Sequence, residues 1–362
     1  MSECLIVGAG ISGLLTARYL CQAGMEVTLV ERGQSAREST WAGGGILSPL
    51  YPWRYPDAVN RLARWSQQHY PQALAEIREE SGIDPEYIRN GLLILDAERQ
   101  PARDWLARFP TEAEWLDAGR QRELEPGLEA ASSQALWLPE VGQVRNPRLG
   151  KALRVAVERL GARFRENCEV LGFQVSQGRV SGVDTRHGVL EAQRVVVAGG
   201  AWTGDLLQST GIDLPIRPVR GQMILFRAEP GLVQRIVLDQ GEYLIPRKDG
   251  RILMGSTLEE VGFVKDTTTQ ARHDLFTAAC RLVPALAAYP MEHQWSGLRP
   301  GSPTGIPLIG RHPLIDGLYI NAGHYRNGVV LGLAAARLLA DSLLDTPPIL
   351  DGADYTPEKF MT

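Results

Sequence analysis

Short apolar runs that end in glycine occur at three places along the chain. The first run covers residues 4–7, and a helical stretch separates it from a second apolar run at residues 25–30. This pattern predicts a strand, a helix and a second strand, because buried parallel strands read as continuous apolar runs. The runs at residues 194–197 and 317–323 also lead into glycines and a helical stretch. Glycines at the carboxyl ends of parallel strands indicate a ligand at that edge of the sheet.

The rest of the chain predicts more helices and a run of adjacent strands. Helical periodicity predicts helices at residues 57–81 (with a break or kink at Pro71), 101–109, 117–124, 147–160, 269–282 and 329–343. Strands are predicted at residues 91–96, 135–138, 169–175, 179–184, 218–227, 235–238, 242–246 and 251–256, with a hairpin turn at Asp249-Gly250. Residues 295–307, rich in Gly and Pro, and the tail after Asp345 are expected to be irregular.

These elements predict an α/β fold with two domains, for which 362 residues are long enough. The glycine-bounded strands predict a discontinuous nucleotide-binding domain with a Rossmann-like parallel sheet. We expect it to comprise residues 1–50, 146–212 and 296–362. The adjacent strands predict a second, substrate-binding domain with a mainly antiparallel sheet, formed by residues 51–145 and 213–295.

Composition narrows the class of protein without identifying it. Apolar residues make up 44% and charged residues 22%, as in ordinary globular proteins. The net charge of −4 argues against nucleic acid or an anionic membrane as partner. No apolar run reaches the roughly 20 residues of a membrane span, and the start of the chain does not read as a signal peptide. The four scattered cysteines suggest neither a metal site nor a dithiol, so the cytoplasm is the expected compartment.

The first strand–helix junction carries G-x-G-x-x-G, and Glu31 follows at the end of the second strand. In this context the spacing is the fingerprint of dinucleotide binding. Gly8 permits the tight turn, Gly10 lets the backbone approach a pyrophosphate, and Gly13 lets the helix pack close to the strand. Glu31 can accept hydrogen bonds from a ribose and would repel a 2′-phosphate, so NADP is disfavoured, although the charge of Arg32 beside it acts in the opposite direction. The fingerprint alone does not decide between FAD and NAD.

A second glycine-rich stretch runs from Thr40 through Trp41 and Ala42 to the three glycines Gly43, Gly44 and Gly45. Consecutive glycines cost backbone entropy, which is justified where the backbone must pass close to a flat or charged ligand. Contact with the redox ring of a cofactor is therefore the preferred interpretation, and a flexible linker is the alternative. Trp41 and the apolar residues that follow the glycines argue against a linker.

Taken together, the motifs resemble the D-amino-acid oxidase family of FAD-dependent amine oxidases, and within it the glycine oxidases of thiamine synthesis. The resemblance covers essentially the whole length. It implies the glutathione-reductase type of FAD-binding domain and FAD as the cofactor. No cysteine follows Cys280, so the FAD is expected to be non-covalent. The residues implied in FAD binding are Gly8, Ala9, Gly10, Ile11, Ser12, Gly13, Glu31, Arg32, Thr40, Ala42, Gly43, Gly44, Gly45, Ala198, Gly199, Gly200, Trp202, Tyr325, Arg326, Asn327, Gly328 and Val329.

The same resemblance implies that Arg299 binds the substrate carboxylate, with Tyr243 and Arg326 at the same site. An arginine can hold a carboxylate through two parallel hydrogen bonds, each contributing about 1.5–3 kcal/mol. Hydride transfer places the α-carbon about 3–3.5 Å from the flavin. No acid–base residue is demanded if the amine arrives neutral, so His324 is not expected to be a base.

The predicted reaction is oxidation of glycine, sarcosine or small D-amino acids by O₂, giving hydrogen peroxide, an oxo acid and ammonia. The resemblance further implies a homotetramer. A dehydrogenase that passes electrons to a carrier other than oxygen is the first alternative. An FAD-binding protein that modifies RNA is the second, and the net charge of −4 argues against it.

Overall fold

The computed structural model describes residues 2–129 and 132–360. Its strands, in chain order, are β1 (Ser2–Val7), β2 (Val27–Val30), β3 (Ile88–Arg89), β4 (Leu92–Ile94), β5 (Glu114–Leu116), β6 (Ala135–Leu138), β7 (Gly142–Gln143), β8 (Arg163–Arg165), β9 (Val170–Ser176), β10 (Arg179–Thr185), β11 (Gly188–Val197), β12 (Arg217–Arg227), β13 (Ile236–Asp239), β14 (Glu242–Pro246), β15 (Arg251–Gly255), β16 (Met291–Gly301), β17 (Leu308–Arg311) and β18 (Leu318–Ala322).

The α-helices are α1 (Ile11–Gln22), α2 (Ser39–Ala42), α3 (Asp57–Ser81), α4 (Arg99–Arg108), α5 (Ala118–Leu124), α6 (Asn146–Arg159), α7 (Thr203–Leu207), α8 (Thr269–Leu282) and α9 (Gly328–Leu343). Short 3₁₀ turns occur at Pro52–Arg54, Gly200–Trp202, Gln208–Thr210, Pro284–Ala288, Tyr325–Asn327 and Pro357–Phe360. The predicted β-α-β unit at the start of the chain is therefore β1-α1-β2.

The first sheet has the strand order β17-β18-β11-β1-β2-β8. Strands β8, β2, β1, β11 and β18 are parallel, and β17 adds an antiparallel edge. The second half of β11 pairs with β1 and β18, whereas its first half forms an antiparallel hairpin with β10. The carboxyl ends of the parallel strands meet at one edge, as the three glycine-bounded runs predicted.

Helices cover one face of the first sheet and bury the apolar stripes that the sequence showed. Leu14 and Leu20 of α1 are fully buried with Leu331 and Ala335 of α9 in one apolar cluster. Burying a leucine stabilises the fold by about 1.5–3 kcal/mol. On the opposite face of the sheet, β10 and the segment after α7 pack against the strands in a second apolar cluster.

The second sheet has the order β16-β12-β15-β14-β13-β4-β6-β5 and is antiparallel except for the β13–β4 pair. Helix α8 packs on one face through an apolar cluster that includes Leu275, Leu282 and Ile224. The other face carries Met223 and Tyr243. These two residues line a cleft together with loops that follow strands of the first sheet. The predicted hairpin turn at Asp249-Gly250 joins β14 to β15 and is confirmed. The α/β fold with a second, mainly antiparallel sheet is thus confirmed, while the division into two domains stays a prediction.

The structure corrects two expectations from the sequence. Helix α3 continues through Pro71 without the predicted break, because its buried stripe, including Leu62, Leu74 and Ile77, offsets the missing hydrogen bond, while the alternative of a kink stays a prediction. Residues 295–307 were expected to be irregular, yet residues 295–301 belong to strand β16. This strand pairs with β12 from Gly301 back to Met291. Its glycines serve close packing rather than disorder, as the site below shows.

No helix within residues 2–129 and 132–360 is long and apolar enough to cross a membrane.

Candidate active site

The site is built where four parallel strands end at the same edge of the first sheet. Strand β1 leads into Gly8, β2 into Glu31, β11 into Ala198 and β18 into Gly323. All four segments carry residues that the sequence singled out. The parallel order brings together motifs that are up to about 300 residues apart in the chain.

The turn between β1 and α1 depends on two of its glycines. Gly8 has a φ of +103°, and a Cβ there would lie 2.4 Å from the carbonyl oxygen of Ala198. A Cβ at Gly13 would lie 2.0 Å from the Gly8 carbonyl oxygen. Any side chain at either position would therefore push α1 or the Ala198 loop away from β1. At the start of α1, the Thr40 hydroxyl accepts the Ile11 N–H at 2.9 Å, so Thr40 holds the helix end from the neighbouring loop.

Glu31 ties together the two turns at the outer end of the site. One carboxylate oxygen accepts the Ala9 N–H at 2.9 Å, and the other accepts the Gly33 N–H at 3.0 Å. A carboxylate oxygen has two acceptor positions, so each can still take a ribose hydroxyl. Glu31 thus has a positioning task that the sequence did not reveal, in addition to the predicted one.

A stack of side chains borders Glu31. The Arg32 guanidinium lies 3.4 Å from the centre of the Trp202 ring, which stacks on Phe263 with a centroid distance of 5.4 Å. Arg32 also pairs with Glu38 at 3.0 Å. Because its charge is already engaged, Arg32 is a weaker candidate for binding a 2′-phosphate than an unpaired arginine would be.

A buried arginine, Arg247, fixes the backbone of the Gly43–Gly45 loop on the side away from the cleft. Arg247, which follows β14, donates to the carbonyl oxygens of Gly44 at 2.8 Å and Val144 at 3.0 Å, and to Gln143 Oε1 at 2.7 Å. Its side chain is only 8% exposed. Burial lowers the pKa of Arg247 to about 10, and the neighbouring Arg145 contributes in the same direction. The guanidinium remains charged at neutral pH and fixes three acceptors at once.

The glycines of this loop are required by their neighbours. Gly45 has a φ of +82°, and a Cβ there would lie 2.1 Å from the Val144 carbonyl oxygen. A Cβ at Gly44 would lie 2.7 Å from Ile245 and 3.2 Å from the Tyr243 ring. Asn146, which is fully buried, occupies the space left by Gly43. The loop therefore presents a bare backbone to the cleft because side chains would not fit behind it.

Glycines also leave space on the face of the second sheet that packs against this loop. Gly221 of β12 and Gly297 of β16 are direct partners across the two strands, and Arg299 lies two positions further along on the same face. A Cβ at Gly297 would lie 2.4 Å from Ala42, and one at Gly255 would lie 3.2 Å from the Tyr243 ring. The loop and the sheet can therefore approach each other closely, leaving a narrow cleft between them.

Arg299, Tyr243 and Arg326 line this cleft together. Arg299 donates to Ser256 Oγ at 2.7 Å and to the Thr257 carbonyl oxygen at 3.1 Å. Burial lowers the pKa of Arg299, and the like charge of Arg326 contributes in the same direction. Among the described residues, no Asp or Glu lines the cleft around Arg299 and Arg326 or forms an ion pair with either arginine. Two cations without an acidic partner favour an anionic ligand such as a carboxylate.

Two buried polar atoms in the wall of the cleft lack a partner within the described part of the chain. They are Asn321 Oδ1, at the end of β18, and His324 Nε2. Burial lowers the pKa of His324 to about 4, so the ring is neutral at physiological pH. Neutral His324 is suited to a hydrogen bond with a bound ligand, and the expectation that it is not the base stays a prediction.

Helix α9 begins at the same cleft, and Gly328 and Val329 line it. The first N–H groups of a helix have no partner within the helix and carry a partial positive charge. Negative charge that develops on a group bound beside them is therefore stabilised.

The cleft has an inner part, between the Gly43–Gly45 loop and Arg299, and an outer part beside Glu31. The inner part has an empty volume of about 1000 Å³ and the outer part about 730 Å³, including space open to solvent. Gly10, Ser39, Thr40, Ala198 and Gly200 line both parts, which are thus one elongated site. The inner part also contains Ile11, Ser12, Gly43, Gly44, Gly45, Tyr325, Arg326, Gly328 and Val329, and the outer part Gly8, Glu31, Arg32, Gly199 and Trp202.

Four residues from the predicted set do not line the cleft. Ala9, Gly13 and Ala42 support its walls, as described above, and Asn327 is buried behind the start of α9. Several lining or supporting residues were missed, namely Met223, Asn146, Arg247, Ser256 and Asn321. Only Met223 had a usable pattern, since strand alternation places it on the same face as Gly221. A buried arginine or asparagine cannot be told from an exposed one in a single sequence.

An elongated cleft with bare backbone, two helix starts, an acid at one end and unpaired polar atoms in its wall fits a dinucleotide cofactor. The model of the family described as DAO, FAD dependent oxidoreductase, matches residues 3–342. The chain belongs to the family of FAD-dependent oxidoreductases. The family and the cofactor expected from the sequence are thereby confirmed, while the roles of individual residues in this FAD-dependent oxidoreductase stay predictions.

Similar proteins and structures cover the whole chain of this FAD-dependent oxidoreductase. A glycine oxidase from Pseudomonas aeruginosa is 47% identical over 360 residues, which cover 99% of each chain. A bifunctional protein ThiO/ThiG from Synechocystis is 33% identical over 372 residues, covering 100% of this chain and 54% of that protein. The crystal structure of glycine oxidase from Geobacillus kaustophilus superposes with a TM-score of 0.92 at 30% identity, with 98% of both chains covered.

Proposed function

We propose that this protein oxidises glycine and other small amino acids, such as sarcosine and small D-amino acids, with FAD and oxygen. The observation that carries the proposal is the pair of arginines, Arg299 and Arg326, in the inner part of the cleft, which is lined by no acidic residue among those described. A small amino acid offers its carboxylate as the main recognition group. The similarity to the glycine oxidase from Pseudomonas aeruginosa supports the same substrate class.

Arg299 would bind the substrate carboxylate. Its guanidinium lies against the second sheet, and two of its N–H groups already donate hydrogen bonds to Ser256 and Thr257. The remaining N–H groups can form the two parallel bonds that a carboxylate accepts. Tyr243 would donate a further hydrogen bond, and Arg326 would add a second positive charge in the same part of the cleft. The substrate is thereby oriented by its carboxylate, with its α-carbon toward the Gly43–Gly45 loop.

The FAD would lie along the cleft, with its adenosine ribose at Glu31, its pyrophosphate at the start of α1 and its ring against Gly43–Gly45. When bound, it supplies the acceptor for the hydride of the α-carbon and passes the electrons to oxygen. The N–H groups at the start of α9 stabilise negative charge beside them. Non-covalent binding of the FAD belongs to the same proposal, since no cysteine follows Cys280 in the sequence.

Among the described residues that line the inner part of the cleft, there is no carboxylate or lysine that could act as a base, and the one histidine is His324. His324 is neutral and its pKa is lowered to about 4 by burial, so it does not hold a proton taken from the substrate amine at physiological pH. The substrate therefore reacts with its amine already neutral. The overall change is glycine, O₂ and water to glyoxylate, ammonia and hydrogen peroxide.

Three further assignments belong to the same proposal. The similarity to the ThiO/ThiG protein supports a role in making the glycine-derived precursor of the thiamine thiazole. A homotetramer in the cytoplasm is the expected form of the enzyme. Light scattering during size-exclusion chromatography tests the assembly, and a monomeric peak across concentrations would contradict it.

An oxygen electrode tests the reaction directly. The purified FAD-loaded protein is given glycine, and oxygen uptake, hydrogen peroxide and glyoxylate are measured together. We expect equal amounts of oxygen consumed and of peroxide and glyoxylate formed. Glyoxylate formed only when a quinone or dye acceptor is added would instead support the dehydrogenase alternative.

A further inference from the structure

The position of Arg299 depends on a glycine in the neighbouring strand. A Cβ built on Gly221 would lie 2.1 Å and 2.2 Å from the two terminal nitrogens of Arg299 and 2.3 Å from Cζ. The guanidinium therefore occupies the space that a side chain at Gly221 would take. All three contacts are with the flexible end of the Arg299 side chain, so an alanine here would displace the guanidinium without requiring the backbone to move.

Two acceptors fix the other side of the same guanidinium. Ser256 Oγ and the Thr257 carbonyl oxygen accept from the two terminal nitrogens at 2.7 Å and 3.1 Å. Ser256 is 7% exposed and does not line the cleft itself. A guanidinium has five N–H donors in one plane. Engaging one on each terminal nitrogen fixes the plane of the guanidinium and leaves further donors for the ligand.

The Thr257 segment is held in turn from the opposite face of the sheet. The Thr257 hydroxyl accepts the Gln222 N–H at 2.9 Å and donates to Glu259 at 2.5 Å. Glu259 also accepts from the Gln222 side chain at 2.9 Å and pairs with the buried Arg220. The acceptors for Arg299 thus stand on a fixed hydrogen-bonded support rather than on a mobile loop.

We propose that Gly221 and Ser256 are positioning residues that hold the Arg299 guanidinium flat on the sheet and thereby set the affinity of the site for carboxylates. This inference rests on the proposed function, since it assigns the carboxylate to Arg299. The two residues act through Arg299 and touch neither substrate nor cofactor. They determine how well a carboxylate binds, and have little influence on how fast bound substrate reacts.

The Gly221→Ala variant tests whether the space beside Gly221 is needed to place the Arg299 guanidinium. Acetate is titrated into the FAD-loaded enzyme, and its dissociation constant is read from the change in the visible flavin spectrum. We expect the acetate dissociation constant to rise at least tenfold, because a displaced guanidinium loses a charge-assisted hydrogen bond. The unfolding temperature should stay within about 2 °C and FAD should remain bound. Gly172→Ala is the matched control, since its Cβ would meet only Asp184 at 3.8 Å.

The Ser256→Ala variant tests the side wall. Loss of one acceptor should raise the acetate dissociation constant and the KM for glycine roughly five- to tenfold. The kcat should stay within about twofold, because the interaction is the same before and during the reaction. Ser256→Thr keeps the hydroxyl and should restore most of the affinity. Ser181→Ala, which removes an exposed hydroxyl from β10, is the control.

Unchanged acetate affinity in both Gly221→Ala and Ser256→Ala would overturn the proposal. An equal fall in kcat and acetate affinity together with loss of FAD would also overturn it, because it would indicate a general structural role. Acetate binding by a wild-type enzyme that does not oxidise glycine would refute the proposed substrate and leave the positioning roles testable. No binding of acetate to wild type would refute the carboxylate site on which both depend.

Discussion

Replacing Arg247 by methionine should destabilise the protein and weaken its hold on FAD. The substitution keeps an unbranched side chain in the buried space but removes the donors to Gly44, Val144 and Gln143. Two effects oppose each other. Three acceptors lose a charged donor, while the cost of burying the charge disappears.

The magnitudes decide the sign. Each hydrogen bond from a charged group contributes about 1.5–3 kcal/mol, or roughly 4.5–9 kcal/mol for three. An arginine normally titrates above about 12, and burial, together with the like charge of Arg145, lowers the pKa of Arg247 to about 10, which corresponds to a cost of roughly 3 kcal/mol for keeping this side chain charged. The difference predicts that Arg247→Met lowers the free energy of unfolding by about 2–6 kcal/mol. The Gly43–Gly45 loop, released from its anchor, should bind FAD less tightly.

Urea titration of the cofactor-free protein, followed by tryptophan fluorescence, measures the first effect, and FAD titration measures the second. Arg251→Met is the matched control, because Arg251 is partly exposed and its ion pairs with Glu292 and Asp249 are partly open to solvent. Its loss should cost less than about 1 kcal/mol. If Arg247→Met unfolds within about 0.5 kcal/mol of wild type and binds FAD normally, the anchoring role is refuted.

Three other substitutions test separate parts of the site and fold. Arg299→Lys keeps the charge but not the paired donors, so kcat/KM for glycine should fall roughly 10–150-fold, measured by oxygen uptake; an unchanged value would exclude the carboxylate clamp. Glu31→Gln should raise the FAD dissociation constant about tenfold in a fluorescence titration, because one of its two backbone contacts is lost; wild-type affinity would remove Glu31 from the ribose site. Burial lowers the pKa of His312 to about 4, so its stabilisation is present above about pH 6.5 and is lost as the pH falls toward 4. His312→Asn should flatten this loss in denaturation curves between pH 6.5 and 4, and an unaltered slope would contradict the assignment.

The sequence predicted the parts of the molecule that depend on local backbone geometry. The roles of Gly8 and Gly13 follow from the turn of a single β-α-β unit, and the structure confirms the close contacts expected of both. The same holds for the strand ends at residues 197 and 322, because an apolar run followed by glycine leaves few alternatives. These features needed no knowledge of distant parts of the chain.

The parts that depend on contacts between distant segments were not predictable. Gly297 looked like part of an irregular loop, whereas it lies in β16 and lets Ala42 approach the sheet. The space that Gly221 leaves for the Arg299 guanidinium could not be predicted, because the pairing register of β12 with β16 is not visible in one sequence. Arg247 could not be distinguished from a surface arginine, since only the fold buries it beneath the glycine loop.

The central claim is that a small amino acid, held by its carboxylate on Arg299, reduces the bound FAD. Anaerobic mixing of the purified enzyme with glycine, while the visible flavin band is followed, tests this most directly. The account predicts that the band bleaches with glycine, that it recovers when air is admitted, and that Arg299→Ala bleaches far more slowly at the same glycine concentration. An FAD-loaded enzyme whose band is unaffected by glycine, sarcosine and D-alanine alike would contradict it.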